Sequence, residues 1–194
     1  MNGSQAIVRI LEQAGVEVVF GIVDGSYLAL CAGLAAGLLA IFVGGGSTRM
    51  GTDKGLLRPP GSDQSILESL VDHGVAAELY PVLVGRADPY DSLLPGLPRL
   101  DDDPRDAGPL GGLNASLRHA STEGRARVIG VACDMPYVTV TVLRALANHP
   151  SEAPVLAPRR RLDAPWEQML ARYHVDPVLA VLDRAIPQGR RSFQ

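Results

Sequence analysis

The chain has 194 residues, 46% of them hydrophobic and 20% charged, with a formal net charge of −3. This fits a folded globular domain, excludes a disordered chain, and excludes the basic surface that bulk nucleic-acid binding needs, so any anion site has to be local. The two cysteines, Cys31 and Cys133, lie far apart and outside any CxxC spacing, and no HxxxH pair occurs among the four histidines, so neither a disulfide framework nor a zinc knuckle is implied and a cytoplasmic setting is expected.

The first 36 residues, with SQAIVRILEQAGVEVVFGIVDG at their centre, read as helix, glycine turn and strand, an extension placed before the rest. Residues 28–43 (LALCAGLAAGLLAIFV) form an uncharged run of sixteen, short of the roughly 18–20 residues a membrane-spanning helix needs. Glu12, Glu17 and Asp24 precede it, which argues against a signal peptide. The run divides into a buried helix end, a break near Gly37 and a buried strand over 38–43.

Residues 65–78 (SILESLVDHGVAAE) carry apolar side chains at helical spacing, and 79–85 (LYPVLVG) reads as the next strand. A short strand is expected at 97–101 and a helix at 110–120, begun after Pro109. RVIGVA (127–132) is a buried strand, 139–149 a helix, 153–158 a strand and 175–186 a last helix. Continuous apolar strands alternating with amphipathic helices predict an α/β fold, a mainly parallel sheet covered on both faces.

Three stretches carry candidate chemistry. FVGGGSTRMGTDK (42–54) follows a strand, where the carboxyl edge of a parallel sheet binds ligands. Its glycines allow close approach of main-chain N–H groups to a phosphate, and Arg49 and Lys54 add positive charge. It matches neither GxGxxG nor the Walker loop, and a plain turn is the competing reading. VIGVACDMP (128–136) ends a buried strand in one carboxylate, Asp134, placed either to hold Mg²⁺ together with substrate phosphates or merely to cap a turn. RLDDDPRDAGPLGGL (99–113) sets Asp101 to Asp103 before a glycine-rich helix start, a metal or ribose site or else a solvated acidic loop. The run PRRRL (158–162) is a solvated loop or a grip on a second phosphorylated substrate. Trp166 is expected to pack, His174 to be a satisfied surface histidine, and Cys133 to pack without reactivity.

Taken together and in this order, FVGGGSTRMGTDKGLL, GPLGG and VACDMP resemble the molybdenum cofactor guanylyltransferase family, over about residues 37–194. The resemblance implies a Rossmann-like three-layer α/β/α sandwich of the nucleotide-diphospho-sugar transferase type. It also implies Mg²⁺-dependent transfer of GMP from GTP to a molybdopterin-type acceptor, with molybdoenzyme maturation proteins as further partners. By that resemblance Phe42, Val43 and Gly44 line the nucleotide, and Gly45, Gly46, Ser47 and Arg49 shape the phosphate loop. Lys54 contacts phosphate, Asp101 the nucleotide, and Asp134 the metal. Cytidylyl transfer, sugar-phosphate nucleotidyl transfer and a non-catalytic NTP-binding protein are the alternatives. The chain departs from the family pattern in Phe42-Val43, where the family usually shows Leu-Ala, and in Gly85, where an Asn can stand. It stops at Gln194 before a final strand and an Asn-Thr-Pro motif, so the domain over 37–194 is expected to be truncated. Residues 1–36 resemble the start of thiamine diphosphate-dependent enzymes, but the catalytic Glu and cofactor domain of those enzymes have no counterpart here.

Overall fold

The computed structural model describes residues 37–43, 53–86, 90, 92–105, 107–159, 161 and 164–190. The expected extension over 1–36 and the glycine-loop residues 44–52 lie outside the described residues.

Six consecutive apolar residues make strand β1 (Gly37–Phe42), every one of them buried. Such a run tolerates no polar position because both faces of the sheet are covered. Side chains alternate across the strand, so Leu39, Ile41 and Val43 enter one core cluster while Leu38, Ala40 and Phe42 enter the other. Strands β2 (Leu79–Val84) and β4 (Arg127–Ala132) flank β1 in parallel, and the two-residue β3 (Arg99–Leu100) extends β2. Beyond β4 the sheet continues through β6 (Leu170–His174) to β5 (Val155–Leu156), giving the order β3-β2-β1-β4-β6-β5. β6 runs antiparallel to both neighbours, so the sheet is mixed, with its parallel part at the centre.

Helices α1 (Ile66–Ala76) and α3 (Val140–Ala147) cover one face, and α2 (Pro109–Thr122) and α4 (Val175–Ala185) the other. This is the three-layer sandwich expected from the alternating pattern. β6 is the element that pattern did not reveal. Arg172 stands at the centre of LARYH, fully buried, and the strand passes into α4 with no intervening turn residues. No helix among the described residues is long and apolar enough to cross a membrane.

α1 is started by a capping box. The Ser65 hydroxyl accepts from Glu68 N, and the Glu68 carboxylate accepts from Ser65 N at 2.8 Å. That main-chain bond first, and the Ser65 hydroxyl second, hold the Glu68 carboxyl below its ordinary range. A depressed folded-state pKa gives stability that is present above the unfolded value and is lost as pH falls through the folded one. Ser65→Ala is therefore expected to destabilise the domain by about 1 kcal/mol near neutral pH. The difference from the parent should narrow below the ordinary Glu range, as thermal melts at several pH values would show.

Candidate functional site

The chain steps from β1 outward to β2 and β3, then crosses to the other side of β1 to form β4. The carboxyl ends of β1 and β4 therefore bound a topological switch point, the crevice where open α/β sheets bind ligands. Main-chain bonds hold these ends flush: Val43 N donates to Val84 O at 2.9 Å, Cys133 N to Phe42 O at 3.1 Å, and Gly85 N to Leu100 O at 2.9 Å.

Two charged side chains meet at this crevice from opposite sides. Lys54 opens a 3-10 turn (Lys54–Leu56) that follows the glycine loop, and Asp134 lies two residues past the end of β4. Lys54 Nζ donates to Asp134 Oδ2 at 2.8 Å, with the two side chains 42% and 43% exposed. The Asp134 hydrogen bond foremost, and then its charge, hold the Lys54 ammonium above its ordinary pKa. Solvent screens so exposed a pair, so its importance lies in where it puts a cation and a carboxylate, not in stability.

Tyr90 supports this arrangement and no sequence signal pointed to it. It is 1% exposed, and a Cβ placed on Gly55 would stand 3.1 Å from its hydroxyl. The phenol lies between the Lys54–Leu56 turn and Cys133, and burial pushes its pKa far above the usual value. It thus buttresses the two segments that carry Lys54 and Asp134 and has no proton to exchange near neutral pH. Cys133 packs against the core cluster as expected, and burial foremost, then the Asp134 charge, raise its thiol pKa. On the far side His73 Nδ1 lies 2.9 Å from Val138 O, tying α1 to the segment after Asp134.

The opposite wall is the start of α2. Gly108, at φ 59°, precedes Pro109 in the first helical position. A Cβ on Gly111 would meet Pro104 O at 2.5 Å, and one on Gly112 would meet Val84 Cγ1 at 3.0 Å and both Asp102 Oδ1 and Phe42 Cδ1 at 3.1 Å. The close approach these glycines permit is thus to the chain's own loop and strand ends. Of the three consecutive carboxylates, Asp102 is the one against the strand ends, its pKa raised by burial and then by Asp101. Asp101 stands outward, 79% exposed, with Arg105 Nη2 at 3.2 Å from its Oδ2. Asp103 O accepts from Asn114 Nδ2 at 2.9 Å.

Among the residues expected to meet a nucleotide, the structure therefore brings together Lys54 and Asp134 and sets Asp101 on the outer rim. Phe42 and Val43 are buried in opposite core clusters, so they shape the crevice floor from beneath. Gly44, Gly45, Gly46, Ser47 and Arg49 lie outside the described residues. No group of three or more His, Cys, Asp or Glu side chains among the described residues is arranged to hold a metal.

Two expectations are corrected. Trp166 does not pack: it is 55% exposed, with the Arg159 guanidinium 4.5 Å from its ring centroid. His174 is not a satisfied surface residue, because its Nε2 is buried without a hydrogen-bond partner at the junction of β6 and α4. Burial first, and then the Arg172 charge, lower its pKa.

A sheet of this order, with helices on both faces and its crevice at a switch point, defines an α/β domain of the ligand-binding kind. A family model described as "MobA-like NTP transferase domain" matches residues 39–194, and the chain belongs to that family. It is 30% identical over 158 residues to a protein named "Probable molybdenum cofactor guanylyltransferase" from Synechococcus elongatus, covering 79% of each chain. A protein of the same name from Carboxydothermus hydrogenoformans is 38% identical over 113 residues, covering 57% of this chain and 53% of that protein. Among solved structures, "Molybdopterin-guanine dinucleotide biosynthesis protein A" from Archaeoglobus fulgidus superposes with a TM-score of 0.61 at 26% identity, covering 79% of this chain and 75% of that one. A nucleotidyl transferase from Methanothermobacter, at 21% identity and the same TM-score, shares the fold.

Proposed function

We infer that the domain transfers GMP from GTP to a molybdopterin-type acceptor, and that residues 1–36 are an extension to it. The observation that carries this reading is the Lys54–Asp134 pair at the switch point, joining the end of the glycine loop to the end of β4. In such a transfer an oxygen of the acceptor phosphate attacks the α-phosphorus of the nucleotide. The bond from that phosphorus to the bridging oxygen breaks, and pyrophosphate leaves with the electron pair. The protein has little covalent work to do; positioning and charge stabilisation carry the reaction.

Lys54, with Arg49 from the preceding loop, neutralises charge on the phosphates as the bridging bond breaks. The main-chain amides of Gly44, Gly45, Gly46 and Ser47 approach the phosphates, Phe42 and Val43 set the floor under the nucleotide, and Asp101 meets it at the outer rim. Asp134 suits Mg²⁺: one hard, half-exposed carboxylate is enough for that ion when substrate phosphates and water complete the octahedron. Mg²⁺ held there by Asp134 together with the nucleotide would supply charge neutralisation at the phosphates. Lys54, 2.8 Å from that carboxylate, is the neighbouring cation that would face the same phosphates.

The test is calorimetric titration with GTP, ATP and CTP in the presence of Mg²⁺, followed by a pyrophosphate-release assay with molybdopterin. GTP binding with release is the expected result. Preference for CTP selects the cytidylyl alternative, binding without release selects a non-catalytic NTP-binding protein, and no binding of any nucleotide overturns the reading.

A further inference from the structure

The sheet's far edge carries a second recess that the donor-side chemistry does not use. Ala132 N, at the end of β4, donates to Met169 O at 3.0 Å, so the segment leading into β6 abuts the strand end that carries Asp134. Because β6 is antiparallel to both β4 and β5, β5 runs in the direction of β4 and leaves the sheet at the same carboxyl edge. There Glu167 N donates to Pro158 O at 2.8 Å, which fixes the returning chain beside the outgoing one. Between them lies an open cleft of about 420 Å³ lined by Val155, Leu156, Ala157, Trp166, Gln168 and Tyr173. That volume falls within the range of small-molecule sites.

Its lining is mainly apolar, yet Val155 and Trp166 remain 46% and 55% exposed. An indole and a valine exposed in the lining of one cleft offer apolar surface that a ligand's ring can cover. The cover is constrained by charge. Arg159 stacks on the Trp166 ring and Arg161 follows two positions on, and none of the described lining residues is acidic, although Glu167 lies between two of them. An aromatic face beside guanidinium groups recognises a planar ring that carries a phosphate, through stacking on one and charge-assisted hydrogen bonds to the other.

We propose that the Trp166–Arg159 cleft holds the acceptor: its fused heterocycle lies along Trp166, and Arg159 receives its phosphomonoester on the side toward Asp134. This rests on the nucleotidyltransferase reading for the word acceptor, while the binding itself can be measured without turnover. Trp166 is the sole tryptophan of the chain, so its emission reports on the cleft directly.

The experiment titrates the whole chain with neopterin monophosphate, with neopterin and inorganic phosphate as separate arms. The expected result is saturable quenching of Trp166 by the phosphorylated pterin, weaker quenching by neopterin and none by phosphate. Arg159→Ala retains the reporter and should weaken binding of the phosphorylated form about tenfold, bringing it close to that of neopterin. In turnover, Trp166→Ala should raise the KM for molybdopterin and leave GTP affinity by calorimetry unchanged. Absence of quenching by either pterin overturns the proposal, as does equal quenching by both in the parent chain. Emission that shifts with protein concentration alone would assign the cleft to a second copy of the chain and likewise overturn it. A chain that binds no nucleotide but still shows the expected quenching would remove the transferase reading and keep the cleft as a phosphopterin site.

Discussion

Asp134→Asn is expected to lower nucleotidyl transfer by at least about 10²–10³-fold, the scale seen when one preorganised electrostatic group is removed from a transition state. The substitution keeps the shape of the side chain and an oxygen that can accept from Lys54, so the 2.8 Å contact has a replacement. What it removes is the negative charge with which Asp134 would hold a divalent cation at the end of β4. The side chain is 43% exposed and belongs to neither core cluster, so the melting temperature should move by no more than a few degrees. The discriminating measurement is pyrophosphate release as a function of Mg²⁺ concentration at saturating GTP. Lost turnover with an unchanged melt, and a requirement for far more Mg²⁺, is the expected outcome. Parent-like turnover and Mg²⁺ dependence would remove Asp134 from the metal role and leave it as the partner that orients Lys54.

The parts of this molecule that could be read from the sequence are those in which one local rule decides the outcome. β1 is visible because a centre strand covered on both faces must be apolar at every position, and α1 because Ser65 and Glu68 complete a capping box before a helical apolar stripe. Asp134 stands out for a similar reason, a lone carboxylate closing a buried run. Long-range choices were not legible. Which of Asp101, Asp102 and Asp103 turns inward depends on how Gly111 and Gly112 seat the start of α2 against the loop, and no pattern within DDD encodes that. Tyr90 lies in a proline- and glycine-rich connection, and its meeting with Gly55 and Cys133 exists only in three dimensions. The same holds for Trp166, which is exposed beside β5, a two-residue strand that is the last of its sheet among the described residues.

Arg172 shows how a residue that hides its own strand comes to hold the sheet together. A charged side chain in mid-strand reads as solvent-facing, yet this one is fully buried and its guanidinium reaches past the end of α3. Nη1 donates to His149 O at 2.7 Å and to Leu146 O at 3.3 Å, and Nη2 donates to Ser151 O. The last carbonyls of a helix have no partners within it, and here one cation satisfies carbonyls of α3 and of the turn that leads toward β5. Burial foremost, and then the Arg127 charge, lower its pKa, but a guanidinium stays charged near neutral pH, so this clamp does not titrate away. Arg172→Ala removes every one of those donors and opens a cavity, and is expected to destabilise the domain by about 3–5 kcal/mol, a large share of a typical domain's stability. Arg172→Met, which fills most of the volume without the donors, should recover part of that loss, and the gap between the two variants measures the cavity. Urea denaturation of the three proteins reads both quantities. Because β6 leads back to Met169 beside the end of β4, the Ala variant should also lose the Trp166 cleft before it loses GTP binding at the crevice. An Ala variant within about 1 kcal/mol of the parent would show that the carbonyls find water instead, and that Arg172 clamps nothing.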